Sequence, residues 1–87
     1  MYKIFFAKSA SKNIPRLKAA NLVDKTKKLI EIISENPFQN PPPYEKLVGN
    51  MANLYSRRIN VQHRLVYEVC EKEKTVKIVS VWSHYEF

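Results

Sequence analysis

Leu54-Tyr55-Ser56-Arg57-Arg58-Ile59, Arg64-Leu65-Val66-Tyr67-Glu68-Val69-Cys70 and Thr75-Val76-Lys77-Ile78-Val79-Ser80-Val81-Trp82 follow one another closely in the C-terminal part of the chain. Each run is rich in β-branched and aromatic residues, the composition of a strand. The separators, Asn60-Val61-Gln62-His63 and Glu71-Lys72-Glu73-Lys74, are short and polar. Connections this short can only reverse the chain, so three neighbouring antiparallel strands are predicted. On the middle strand Leu65, Tyr67 and Val69 share one face, and Arg64, Val66 and Glu68 the other. The apolar face needs a cover, and the mixed face is left open for function.

The cover lies upstream. Tyr2-Lys3-Ile4-Phe5-Phe6-Ala7 reads as a further strand. Ser9 offers an N-cap for a helix to about Lys18. Pro15 removes a donor and crowds the turn before it, so either that helix kinks or Asn13 caps a later start. Leu22, Thr26, Leu29, Ile30 and Ile33 recur on one face of a second helix. Asn21 and Asp24 have the spacing of a capping box. Lys25, Lys27, Lys28 and Glu31 fall on its solvated sides, and Asn36-Pro37 ends it. Residues 36–50 form a proline-rich connection in which Pro41-Pro42-Pro43 favours an extended, stiff path. Gly49-Asn50 marks a turn. A loop of this length in a small domain is often functional. No repeat or domain boundary interrupts the chain, so residues 1–87 are expected to form a single α+β domain.

Composition narrows the class. With 87 residues, 45% of them hydrophobic and 26% charged, one modest core is feasible and a wholly disordered chain is excluded. The longest apolar run, Ile4-Phe5-Phe6-Ala7, is far too short to span a bilayer, so no membrane is involved in this reading. Met1-Tyr2-Lys3-Ile4 lacks the plan of a signal peptide. The lone Cys70 can form no internal disulfide, and a reducing, cytoplasmic location is expected. The net charge of +7 is spread over both halves of the chain, which suits a folded body that meets a polyanion.

Familiar catalytic motifs are absent: no glycine-rich phosphate loop, no Cys-x₂-Cys, no Gly-x-Ser-x-Gly. Asp24 is the sole aspartate, and it lies in the second helix, so neither a metal site nor a cofactor is expected. What remains is Glu45 in the loop, Arg57, Arg58 and Arg64 on the strands, and His84-Tyr85. Glu, Arg and His can cleave a phosphodiester by acid–base chemistry. A base takes the proton of the attacking hydroxyl, an acid protonates the departing oxygen, and an arginine stabilises the charged transition state. RNA brings its own nucleophile, the 2′-OH. Each residue also has a plainer reading: Glu45 as a surface carboxylate, Arg58 and Arg64 as partners of Glu68, His63 as an exposed turn residue, His84 as a surface group.

Ser56-Arg57-Arg58-Ile59, then His63-Arg64-Leu65-Val66-Tyr67, then His84-Tyr85 resemble the YoeB (Txe) family of toxins within the RelE-like group. Pro37-Phe38, Glu45 before Leu47 and the preceding Lys-rich helix fall in the matching order, so the resemblance covers essentially the whole chain. It implies a RelE-like β-α-α-β-β-β fold, a twisted, largely antiparallel sheet with two helices on one face. It implies a ribosome-dependent mRNA endonuclease (an mRNA interferase) that cuts translated mRNA in the A site and is silenced by a YefM/Phd-type antitoxin. By position, Glu45 matches the general base, His84 the general acid, Arg64 the arginine at the scissile phosphate and Tyr85 a substrate-orienting tyrosine. Arg58 matches a second basic residue near the RNA, and Arg57 and Lys46 are expected in the RNA-binding set with it. Tyr44 is an extra aromatic beside Glu45, with two readings: it stacks on an RNA base or it anchors the loop. Operator DNA, bound together with the antitoxin, and a homodimer are further partners that it implies. Some relatives of the ParE kind lack the acid–base set and inhibit gyrase, so a non-catalytic inhibitor or a DNA-binding co-repressor is the alternative. Two departures stand out. Glu86-Phe87 follow the His-Tyr pair with which the family usually ends, and Pro-Pro-Pro-Tyr precedes Glu45.

Overall fold

The computed structural model describes residues 1–47 and 53–84. The element order is β1 (Lys3–Phe6), α1 (Lys8–Ala19), α2 (Val23–Glu35), β2 (Tyr44–Lys46), β3 (Leu54–Arg58), β4 (His63–Cys70) and β5 (Thr75–His84). The five strands form one mixed, mostly antiparallel sheet in the order β1-β5-β4-β3-β2. The predicted meander is β3-β4-β5, with Tyr55 opposite Tyr67 and Tyr67 opposite Ile78. β1 joins it parallel to β5, Lys3 opposite Thr75 and Phe6 opposite Ile78.

The apolar face is covered as the alternation requires. Leu65, Tyr67, Val69, Val76, Ile78 and Val81 are buried, and Ala10, Leu17, Leu22 and Ile33 from the helical segment pack on them. Each such aliphatic side chain contributes roughly 1.5–3 kcal/mol when buried. In α2, Thr26 and Ile33 are buried, Leu29 and Ile30 half-buried, and Lys25, Lys27, Lys28 and Glu31 exposed, as the periodicity predicts.

Several expectations about helix ends need correcting. Ser9 does not cap α1. It lies inside the helix, and its hydroxyl donates to the Val79 carbonyl of β5 at 2.6 Å. Asn13 caps no later start either; its Oδ1 accepts from Ser80 Oγ and the Val81 amide, both at 3.3 Å. These polar groups therefore tie α1 to the sheet instead of opening a helix. α1 continues through Pro15 to Ala19. The turn that loses an amide donor, at Ser11, lies with Pro15 on the exposed side, where water can satisfy the carbonyl. Asn21 and Asp24 form no capping box, because Asn21 terminates α1. Its φ is 60°, the Asn21 amide donates to Lys18 O at 3.1 Å, and the Leu22 amide donates to Leu17 O at 2.9 Å. That is a Schellman motif, with the buried pair Leu17 and Leu22 supplying its apolar contact.

The proline-rich connection also differs from its expectation. It bends at residues 40–42, where Asn40-Pro41 and Pro41-Pro42 are cis, and it delivers the short edge strand β2. Three residues are too few to display an alternation. This strand is specified by the free edge of β3, with Glu45 opposite Ser56. The predicted turn at Gly49-Asn50 lies outside the described residues. His63 is not an exposed turn residue. It opens β4, is only 6% exposed, and stacks on Trp82 with centroids 3.9 Å apart. The turn before it is held by Asn60 Oδ1, which accepts from the amides of Gln62 and His63.

Candidate active site

Strand parity sorts the candidate residues. On β3, Tyr55 and Arg57 share the helix-covered side, and Ser56 and Arg58 share the other. Register then extends each row across the sheet. Glu45, Ser56 and Val66 are successive partners on β2, β3 and β4, and Arg58 and Arg64 form the next row on the same face. The pairing continues from Arg64 to Ser83 on β5, where irregularities on both sides of Val66 shift the register. Glu45 and Arg58 are thus diagonal neighbours, a relation that holds residues about 7–8 Å apart and within reach of long side chains.

The two line one depression. Pro43, Tyr44, Glu45, Ser56 and Arg58 surround a volume of about 210 Å³. Glu45 and Arg58 are exposed, and Arg64 is half-buried beside them. Ser56 forms the floor, 2% exposed, and its hydroxyl has no hydrogen-bond partner among the described residues. Its motif position drew attention to the neighbouring arginines and not to Ser56, since a serine on a strand carries no signal in sequence. Arg58 and Arg64 stand directly opposite each other across β3 and β4. Together they concentrate positive charge on the open face. The arrangement can therefore hold a phosphate at the arginines and present a carboxylate to its ester.

The remaining expected residues separate. The His84 backbone pairs with His63, one position beyond the row of Ser83, Arg64 and Arg58. Tyr85 lies outside the described residues. Lys46 is exposed on β2 but falls opposite Tyr55, on the other side of the strand from Glu45.

Arg57 needs correction as an RNA contact, because it never reaches the surface. It is 1% exposed and spends its guanidinium on the loop that leads to β2. Nη1 donates to the Pro42 carbonyl, Nη2 to Pro37 O at 3.0 Å, and Nε to the Tyr67 hydroxyl at 3.2 Å. The Tyr67 hydroxyl in turn donates to Pro37 O at 2.8 Å. Tyr44 takes the loop-anchoring role, the second of its two expected readings. Its ring lies 5.1 Å from the Arg57 guanidinium and packs against Phe38 and Tyr55. Burial pushes the Tyr67 phenol above its ordinary value of 10.0, and the charge and hydrogen bond of Arg57 act against that rise.

Comparison with known proteins gives one consistent result. Residues 15–85 match the family described as YoeB-like toxin of bacterial type II toxin-antitoxin system. A toxin YoeB from a Synechocystis strain is 38% identical over 58 residues, which span 67% of this chain and 65% of that protein, just under two thirds of its length. Among solved structures, the YoeB dimer from Staphylococcus aureus superposes with a TM-score of 0.81 at 33% identity, covering 97% of this chain and 98% of that one. The heterotetrameric YoeB-YefM toxin-antitoxin complex from the same organism gives 0.78 at 33% identity, covering 98% and 99%.

Proposed function

The chain belongs to the YoeB-like toxins of bacterial type II toxin-antitoxin systems, and from that premise we propose that it is a ribosome-dependent endoribonuclease acting on mRNA in the A site. The observation that carries this reading is the common face of Glu45, Arg58 and Arg64, with a carboxylate and a guanidinium lining one depression. Glu45 removes the proton of the 2′-OH, and the freed oxygen attacks the adjacent phosphorus. Arg64, with Arg58 beside it, stabilises the charge that grows on the phosphoryl oxygens. His84 protonates the departing 5′-oxygen, and Tyr85 orients the substrate. The upstream fragment then ends in a 2′,3′-cyclic phosphate and the downstream fragment in a 5′-OH. A site with so few groups gains most from a substrate already held in line, which the ribosome provides.

The partners follow the same premise. An acidic antitoxin of the YefM kind suits the +7 charge. An apolar depression of about 260 Å³, walled by Phe6, Ile14, Leu17 and Ile30 and flanked by Lys18 and Lys27, offers its chain a seat. The dimer and heterotetramer known for the Staphylococcus aureus relative support a homodimer and an antitoxin complex here, and operator DNA is the further partner proposed for that complex. A non-catalytic inhibitor on this fold would have no need of Glu45 in the depression beside Arg58.

The decisive experiment is a single 2′-deoxy substitution on the 5′ side of the scissile phosphate, in an mRNA programmed into the A site. Cleavage there disappears if the 2′-OH is the nucleophile. Persistent cleavage, or a downstream 5′-phosphate, overturns the mechanism.

A further inference from the structure

We infer that Arg57 and Tyr67 are positioning residues for the reaction: a buried pair that fixes both ends of the loop before β2 and thereby sets where Glu45 stands. This rests on the reading of Glu45 as general base.

Glu45 lies on a three-residue edge strand that, among the described residues, pairs with β3 alone. Such a strand is weakly held by itself. What precedes it is anchored from the core. Pro37 O accepts from both Arg57 Nη2 and the Tyr67 hydroxyl, and Pro42 O accepts from Arg57 Nη1. These carbonyls lie at the start of the loop and two residues before β2. A third hold comes from Tyr44, the residue just before Glu45, which pairs with Arg57 in register and sits against its guanidinium. Phe38, at the loop's other end, closes edge-on against Tyr55 at 5.2 Å.

The two core residues are themselves deeply buried. Tyr67 is fully buried on the central strand β4, and Arg57 is 1% exposed. A planar guanidinium with several donors in fixed directions can meet two carbonyls and a hydroxyl at once, which a lysine cannot. Position therefore passes from the sheet interior, through two carbonyls and one ring, to a carboxylate on the opposite face of the next strand. An error of about 1 Å in such a group costs on the order of 10²-fold in rate.

The test uses the full chain and single-turnover cleavage of mRNA on programmed ribosomes, with toxin saturating. Tyr67→Phe keeps the ring and deletes the hydroxyl; Arg57→Lys keeps the charge and deletes the fork. Both are expected to lower the cleavage rate by on the order of tenfold to a hundredfold, while half-saturation by ribosomes stays within about twofold. In a Glu45→Gln background the same changes should alter the residual rate by less than about twofold, because coupled residues are not additive. Hydrogen–deuterium exchange of the free protein supplies a readout independent of activity: Tyr67→Phe should lose protection over residues 43–47 and keep it in α1. Equal losses in both backgrounds, or unchanged exchange over 43–47, overturns the positioning role. Full activity of both variants beside an inactive Glu45→Gln removes that role and leaves the base assignment standing. Full activity of Glu45→Gln removes both.

Discussion

Arg57 and Arg58 are consecutive, chemically identical and on the same strand, yet they belong to two different regions of the molecule. Arg57 points into the helix-covered side, where three of its donors are used by Pro37, Pro42 and Tyr67. Arg58 points to the open side, where it lines a depression with Glu45 and faces Arg64 across the sheet. One arginine builds the wall and the other stands in front of it. A strand's two-residue period decides which is which, so an Arg-Arg pair puts one arginine in the interior and its neighbour on the open face. The comparison also shows why charge count is a poor guide to a binding surface. Part of the basic character of this chain is locked in its interior.

The sharpest way to break the comparison is on the open face. Glu45→Gln should lower ribosomal cleavage by on the order of 10²–10⁴-fold, the usual worth of a general base. Its thermal unfolding should stay within about 0.5 kcal/mol of the parent, as for a surface substitution. His84→Ala should give a similar loss of activity, read as recovered growth on induction at equal expression. On the covered side the pattern reverses. Arg57→Leu strands the Pro42 carbonyl and leaves Pro37 O to the Tyr67 hydroxyl alone, and should cost on the order of 3 kcal/mol, since hydrogen bonds to a charged group are worth about 1.5–3 kcal/mol each. Arg58→Leu should unfold with the parent to within about 0.5 kcal/mol and still cleave poorly. A destabilised Arg58 variant beside a stable Arg57 variant would invert the assignment.

Two smaller effects refine the picture. His63→Ala should cost about 1–2 kcal/mol in denaturant unfolding, because it removes a buried ring stacked on Trp82. A histidine in an exposed turn would give no change. The smallest effect concerns pH. The Tyr67 phenol is raised in the folded protein above 10.0, so its contribution to stability is fully present below pH 10. It is lost as pH rises through the folded value. The alkaline fall in stability should be steeper for the parent than for Tyr67→Phe, whose midpoint differs from the parent's by a constant amount below pH 10.

How much of this was legible depends on the kind of signal each residue leaves. The three C-terminal strands, the two helices and their covered face were readable because period-2 and period-3.6 patterns recur over many residues. The helix ends were not. Ser9, Asn13 and Asn21 have the composition of caps, but Ser9 and Asn13 bond to β5, and Asn21 closes the preceding helix. β2 was invisible because Tyr44-Glu45-Lys46 is short and owes its conformation to β3. For the site, motif position singled out Glu45, Arg58 and Arg64, which the sheet brings to one face. It also put Arg57 at the RNA, since a motif records that a residue matters without recording which way it points. Nothing in the sequence marked Ser56, or His63 as a core residue.

The place of β5 in the sheet has a consequence for how the molecule comes into being. β5 lies between β1 and β4, and β1, about seventy residues upstream, pairs with β5 alone among the described residues. α1 is also fastened to it, through Ser9 and Asn13. Until Thr75–His84 has left the ribosome, the N-terminal strand and helices have no sheet to close on, and contacts of such sequence separation form late. Glu45 and Arg64 are made well before that point, but the layer that backs them is not. A growing chain thus carries the candidate groups before the frame that aligns them, and that frame closes only once Thr75–His84 has emerged.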